Sequence, residues 1–164
     1  MLKHPTVDKL LEMKLTGMLS ALQQQIDMPE LQSLTFEDRL GLLIDAEFSE
    51  RETTQLSKRL KAAKLRQTAC LEDLDFKPGR GLDKLLIGQL AECDWIKKNM
   101  NIMIVGPTGV GKSYVSCALG QKACRSGHTV AYFRAPRFFQ ELTIARLGGT
   151  YERFLKRLQT FKVL

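Results

Sequence analysis

Eight consecutive residues, Gly106-Pro107-Thr108-Gly109-Val110-Gly111-Lys112-Ser113, follow the order Gly-x-x-x-x-Gly-Lys-Ser/Thr. Their types and spacing suit phosphate chemistry. Glycine lacks a Cβ, so the loop can take positive φ and turn successive backbone N–H groups toward phosphate oxygens. Lys112 would reach the β- and γ-phosphates as a point charge, and Ser113 would offer its hydroxyl to Mg²⁺. The expected ligand is ATP or GTP with Mg²⁺, held by all eight residues, with Ser113 as the metal ligand.

Such a loop works only between a strand that delivers it and a helix that receives it. Asn101 to Val105 is a short apolar run of strand length, and Gly111 to Arg125 has helical character up to Ser126-Gly127. Thr129 to Arg134 is rich in β-formers, Pro136 opens a further helix, Gly148-Gly149 breaks it, and Tyr151 to about Thr160 is helical again. Strand, helix, strand, helix predicts a parallel sheet with right-handed crossovers, hence an α/β fold. Phosphoryl transfer also needs an acidic group at the end of a later strand. Phe161-Lys162-Val163-Leu164 looks like the start of that strand, and no carboxylate follows it. Glu141 and Glu152 fall on expected helices, where they read as surface charges, so no catalytic residue is assigned.

Ahead of the loop the chain reads as all-helical. Thr6 to about Ile26 carries Val7, Leu10, Leu11, Leu15, Met18, Leu19 and Leu22 at steps of three and four. Thr35-Phe36-Glu37-Asp38 is a capping-box pattern, and the helical signal after it runs to about Ala69. Within that stretch Lys58, Arg59, Lys61, Lys64 and Arg66 put five cations into nine residues and back an apolar stripe of Leu56, Leu60 and Ala63, with Leu65 the exception. Two readings stand level: a phosphate-binding surface, or a solvated face offsetting Glu47, Glu50 and Glu52. Leu71 to Gly81, ending in Lys-Pro-Gly-Arg-Gly, is a turn-rich connector. The expected organisation is a helical domain over 1–70, a linker over 71–81 and a nucleotide-binding domain over 82–164.

Composition narrows the partners. Of 164 residues, 44% are hydrophobic and 26% charged, as in ordinary globular chains. No apolar run could span a bilayer, and Lys3, His4, Asp8, Lys9 and Glu12 interrupt any secretory signal, so a cytoplasmic protein without membrane contact is expected. Residues 1–90 carry 13 Lys/Arg against 14 Asp/Glu, whereas residues 91–164 carry 12 against 4. That C-terminal excess favours a polyanion, and Arg134 and Arg137 join the five leader cations as candidate DNA contacts. Cys70, Cys93, Cys117 and Cys124 show no Cys-x-x-Cys spacing and are assigned no chemistry; Cys117 and Cys124, seven apart on one face of the expected helix, read as small buried thiols.

With these residues in place, the chain resembles the IstB-like transposition helper ATPases, relatives of the DnaC-type helicase loaders in the AAA+ class. The resemblance runs along essentially the whole length. It rests on Leu10-Leu11-Glu12-Met13-Lys14-Leu15-Thr16-Gly17-Met18, on Thr35-Phe36-Glu37-Asp38-Arg39-Leu40 with the basic helix to Arg66, and on Leu71-Glu72-Asp73-Leu74-Asp75-Phe76. The Walker A loop and Tyr132-Phe133-Arg134-Ala135 complete it. The resemblance implies a cytosolic ATPase that assembles on double-stranded DNA with ATP, works with the transposase of an insertion element, and forms a homo-oligomer when full length. It also implies that the Walker B pair, a sensor residue and an arginine finger would lie beyond Leu164. The expectation is therefore a C-terminally truncated AAA+-like parallel-sheet core that binds nucleotide without hydrolysing it. A DnaC-like helicase loader shares the fold and is the alternative. A small-molecule kinase is disfavoured by the leader of about 100 residues that precedes the loop.

Overall fold

Helices carry nearly all the regular structure of this chain. The computed structural model describes residues 5–77 and 81–164. The Pro78-Gly79-Arg80 part of the expected connector and the Lys3 and His4 charges lie outside the described residues. Two compact units divide the chain, Met1–Ser57 and Lys58–Leu164.

In the first unit, α1 (Pro5–Glu12) and α2 (Thr16–Asp27) replace the single helix expected over this stretch. Lys14 turns left-handed at φ 58°. The Leu15 N–H then reaches the Leu10 carbonyl and the Lys14 N–H the Leu11 carbonyl, both at 2.9 Å, a Schellman termination of α1. A one-turn 3₁₀ helix, Pro29–Ser33, precedes α3 (Phe36–Ala63). The Asp38 N–H donates to the Thr35 hydroxyl at 3.2 Å, as the capping pattern requires. Helices α2 and α3 meet closely at Gly17, where a Cβ would lie 2.6 Å from the Ala46 carbonyl oxygen. Buried Glu47 accepts the N–H groups of Gly17 (2.9 Å) and Met18 (3.3 Å), satisfying amides that the first turn of α2 leaves open.

In the second unit, a 3₁₀ turn at Leu71–Asp73 leads to α4 (Lys84–Ala91), α5 (Asp94–Lys97), α6 (Lys112–Arg125), α7 (Ala135–Leu147) and α8 (Tyr151–Gln159). Asp83 caps α4 by accepting the Leu85 N–H at 2.8 Å. Helix α6 forms the centre: Val115, Cys117, Ala118 and Leu119 are buried with Ala69, Leu71 and Ile87 in one cluster. Its small residues permit close packing, and a Cβ on Gly120 would sit 3.1 Å from Leu65.

The expected parallel sheet is absent. Among the described residues no strand forms, and β-structure is reduced to one parallel bridge, Val130 to Val163. The segment before the glycine loop does alternate: Ile102 and Ile104 pack on the core, while Met103 is 88% and Val105 83% exposed. Alternating apolar residues specify an extended backbone, but a strand exists only when a neighbour completes the hydrogen-bond ladder. Around 129–131 the ladder stops after three bonds, Lys162 N–H to Thr129 O (2.8 Å), Val163 N–H to Thr129 O (3.1 Å) and Ala131 N–H to Val163 O (2.9 Å). Among the described residues no helix is long and apolar enough to cross a membrane.

Candidate phosphate-binding sites

The glycine loop sits on a fixed base. Helix α6 begins at Lys112 directly after Gly111, and its buried face anchors the whole 14-residue helix in the core. Gly109 and Gly111 take φ values of 86° and 95°, the left-handed region that disfavours residues with a Cβ. Nothing stands within 4 Å of the place a Cβ would occupy at either position, so the space over the loop is open. Residues 106–111 are exposed, and among the described residues no acceptor engages the N–H groups of Gly109, Val110 or Gly111. Open amides at the positive end of a helix attract oxyanions.

Lys112 folds over this loop, its Nζ donating to the Gly106 carbonyl at 2.8 Å and also to the Pro107 carbonyl. Half-buried Ser113 stands in the first turn of α6, its hydroxyl engaged by no described residue. The loop therefore brings together open amides, a cation held on neutral carbonyls and a hydroxyl that no described residue engages. That set fits a phosphate group with an associated divalent cation.

The seven cations expected to meet DNA separate into three groups. Lys58 and Lys61 are exposed on α3. Arg59 is half-buried and donates from Nε to the Cys124 carbonyl at 2.9 Å, at the C-terminal end of α6. There it meets the negative pole of the helix. Cys124 is buried, which pushes its thiol up, an effect that Arg59 partly offsets.

Lys64, Arg66, Arg134 and Arg137 converge on one cavity of about 580 Å³, joined by Arg157 and by the carboxylate Glu141. Two contacts create this convergence. The Tyr132 N–H donates to the Ala63 carbonyl at 2.8 Å, which lays the end of α3 beside residues 132–134. Phe138 packs on Phe133 (centroids 5.3 Å apart) and on Phe154 (5.9 Å), which ties α7 and α8 to the same segment. Arg157 escaped the sequence reading because Lys156 and Arg157 in the last turn of α8 look like an ordinary solvated helix end. The cue available was the marked amphipathicity of Tyr151–Gln159, on which Arg157 follows Phe154 by three positions and so borders its apolar face.

An open glycine loop at the head of a helix offers amides of the kind that can receive an oxyanion. Residues 8–164 match the IstB-like ATP binding protein family. The chain belongs to that family. It is 44% identical over 165 residues to a Pseudomonas fluorescens protein named for ATP binding and insertion sequence IS1162, covering 100% of this chain and 71% of that one. It is 46% identical over 164 residues to a Sinorhizobium fredii protein named for an insertion sequence and ATP binding, covering 100% of this chain and 67% of that one. A Pseudomonas aeruginosa protein named for insertion sequence IS21 and ATP binding is 31% identical over 131 residues, covering 80% of this chain and 49% of that one.

Proposed function

We propose that this chain is an ATP-binding helper of insertion-sequence transposition, working in the cytoplasm as a homo-oligomer on duplex DNA with the transposase of its element. The observation that carries the reading is the loop itself. Its unengaged amides at Gly109–Gly111 crown α6 in a member of the IstB-like ATP binding proteins. The names of its relatives, which join ATP binding to insertion sequences, support the biological setting.

In this reading residues Gly106–Ser113 cradle the ATP phosphates. Lys112 exchanges the carbonyls of Gly106 and Pro107 for phosphate oxygens, trading neutral acceptors for charged ones. The Ser113 hydroxyl supplies one ligand to Mg²⁺. Lys58, Lys61, Lys64, Arg66, Arg134 and Arg137 supply the positive surface for DNA, in keeping with the basic excess of residues 91–164.

Calorimetry with MgATP tests the nucleotide site. Replacing Lys112 by alanine removes a charge-assisted contact and should weaken ATP more than about tenfold. Equal affinity of wild type and Lys112→Ala would sink the assignment.

A further inference from the structure

We infer that the cavity between the end of α3, residues 132–134, the first turn of α7 and the end of α8 is a discrete seat for a DNA backbone phosphate. Arg157 is one of its contacts and Glu141 its regulator. The inference rests on the DNA reading above and deepens it. It replaces a diffuse basic helix face with one built site, and it adds a cation from an element that reading leaves out.

Charge is the first support. Five cations line the cavity against a single carboxylate. Glu141 is committed to Arg137, whose Nε lies 3.2 Å from its Oε1. Among the described residues no carboxylate pairs with Lys64, Arg66, Arg134 or Arg157. Four uncompensated positive charges converging on one cleft repel each other and concentrate anions there.

Geometry is the second support. The volume of about 580 Å³ falls inside the range of ligand-binding clefts, roughly 300–1,000 Å³. Half-buried Tyr132 and Phe133 form a firm wall, braced through Phe138. Lys64 holds φ 49°, a left-handed conformation that lysine disfavours and that the Tyr132–Ala63 bond beside it keeps in place. Three of the four free cations are guanidinium groups, whose planar forks match phosphate oxygens.

The Glu141–Arg137 pair gives the seat a distinctive signature. Its loss should free a guanidinium and remove the one negative charge at the cavity, so a deletion should improve binding. Unfolding cannot imitate that result.

The test uses the full chain and a fluorescein-labelled 20-base-pair duplex, with anisotropy followed across a salt series. Glu141→Gln should tighten binding about two- to five-fold at low salt, the range of an exposed ion pair. Arg157→Ala, at an exposed and unpaired side chain, should weaken it and flatten the plot of log affinity against log salt by about one unit. If wild type binds duplex but neither substitution changes affinity or slope, the seat is refuted and the broader DNA reading survives. If wild type binds no duplex, the DNA reading fails, and pyrophosphate is titrated calorimetrically into Lys112→Ala and into Lys112→Ala/Arg157→Ala. Heat that depends on Arg157 would then support the seat for a free phosphate compound, and no such heat would overturn it.

Discussion

Lys112 Nζ lies 2.8 Å from the carbonyl oxygen of Gly106, so the cation that ends the glycine loop closes on the residue that begins it. Among the described residues no acceptor engages the amides between them. In the free chain Gly109, Val110 and Gly111 face water, and amide hydrogens of this kind exchange rapidly. MgATP should slow exchange at these three amides and leave the α6 interior around Ala118 and Leu119, already buried, unchanged. The measurement is hydrogen exchange with and without nucleotide. In Gly111→Ala the protection should disappear, because a Cβ at φ 95° costs roughly 1–3 kcal/mol and refolds the loop. MgATP that binds without slowing exchange at these amides would place the ligand elsewhere.

Glu47 sets an acid limit on the first unit. It accepts bonds from Arg51 Nε at 2.7 Å and from the amides of Gly17 and Met18. The Arg51 bond, aided by both amides, holds its carboxyl below the ordinary value of 4.5 against the opposing effect of burial. A carboxyl depressed in the folded state adds stability above its unfolded value and loses it as pH falls through the folded value. Glu47→Gln should therefore be less stable than wild type at pH 7, with the gap in urea midpoint narrowing below about pH 4.5. A gap constant from pH 7 to pH 3 would remove Glu47 from the acid response.

Signals that act within one turn of chain were legible in advance. Gly127 and Gly149 take the left-handed positions that end α6 and α7, and Thr35 caps α3 through Asp38. The stop at Lys14 was hidden, because a lysine in that conformation carries no local mark. Ile102 and Ile104 show why strands were expected and none formed among the described residues: their alternation is satisfied by packing on the core without a paired neighbour. The site divides the same way. The glycine loop is contiguous and could be read directly. The cationic cavity unites residues 64 and 157, and the bonds that join them, such as Tyr132 to Ala63, follow no sequence spacing. Charge counting found four of its five cations without showing that they share one place.

Arg59 separates structural from binding cations, and its removal should have consequences opposite to those of Arg157. Its Nε donates to the Cys124 carbonyl at 2.9 Å, where that carbonyl also accepts the Gly127 N–H at 3.2 Å. The guanidinium thus joins α3 to the C-terminal end of α6, the helix whose other end carries the glycine loop. It also meets the partial negative charge that accumulates at that helix end. Arg59→Ala deletes both contributions and leaves the carbonyl of buried Cys124 with one partner fewer, a loss of about 1–2 kcal/mol. Arg59→Lys should recover little of it, since an ammonium lacks the planar fork that places Nε on the carbonyl. The urea midpoint should therefore fall by similar amounts in the two variants. The salt dependence of duplex binding should stay that of wild type, because the Nε bond to the Cys124 carbonyl turns this half-buried guanidinium onto the end of α6. A stable Arg59→Ala chain with a flattened salt slope would reverse the assignment and return Arg59 to the DNA-facing cations.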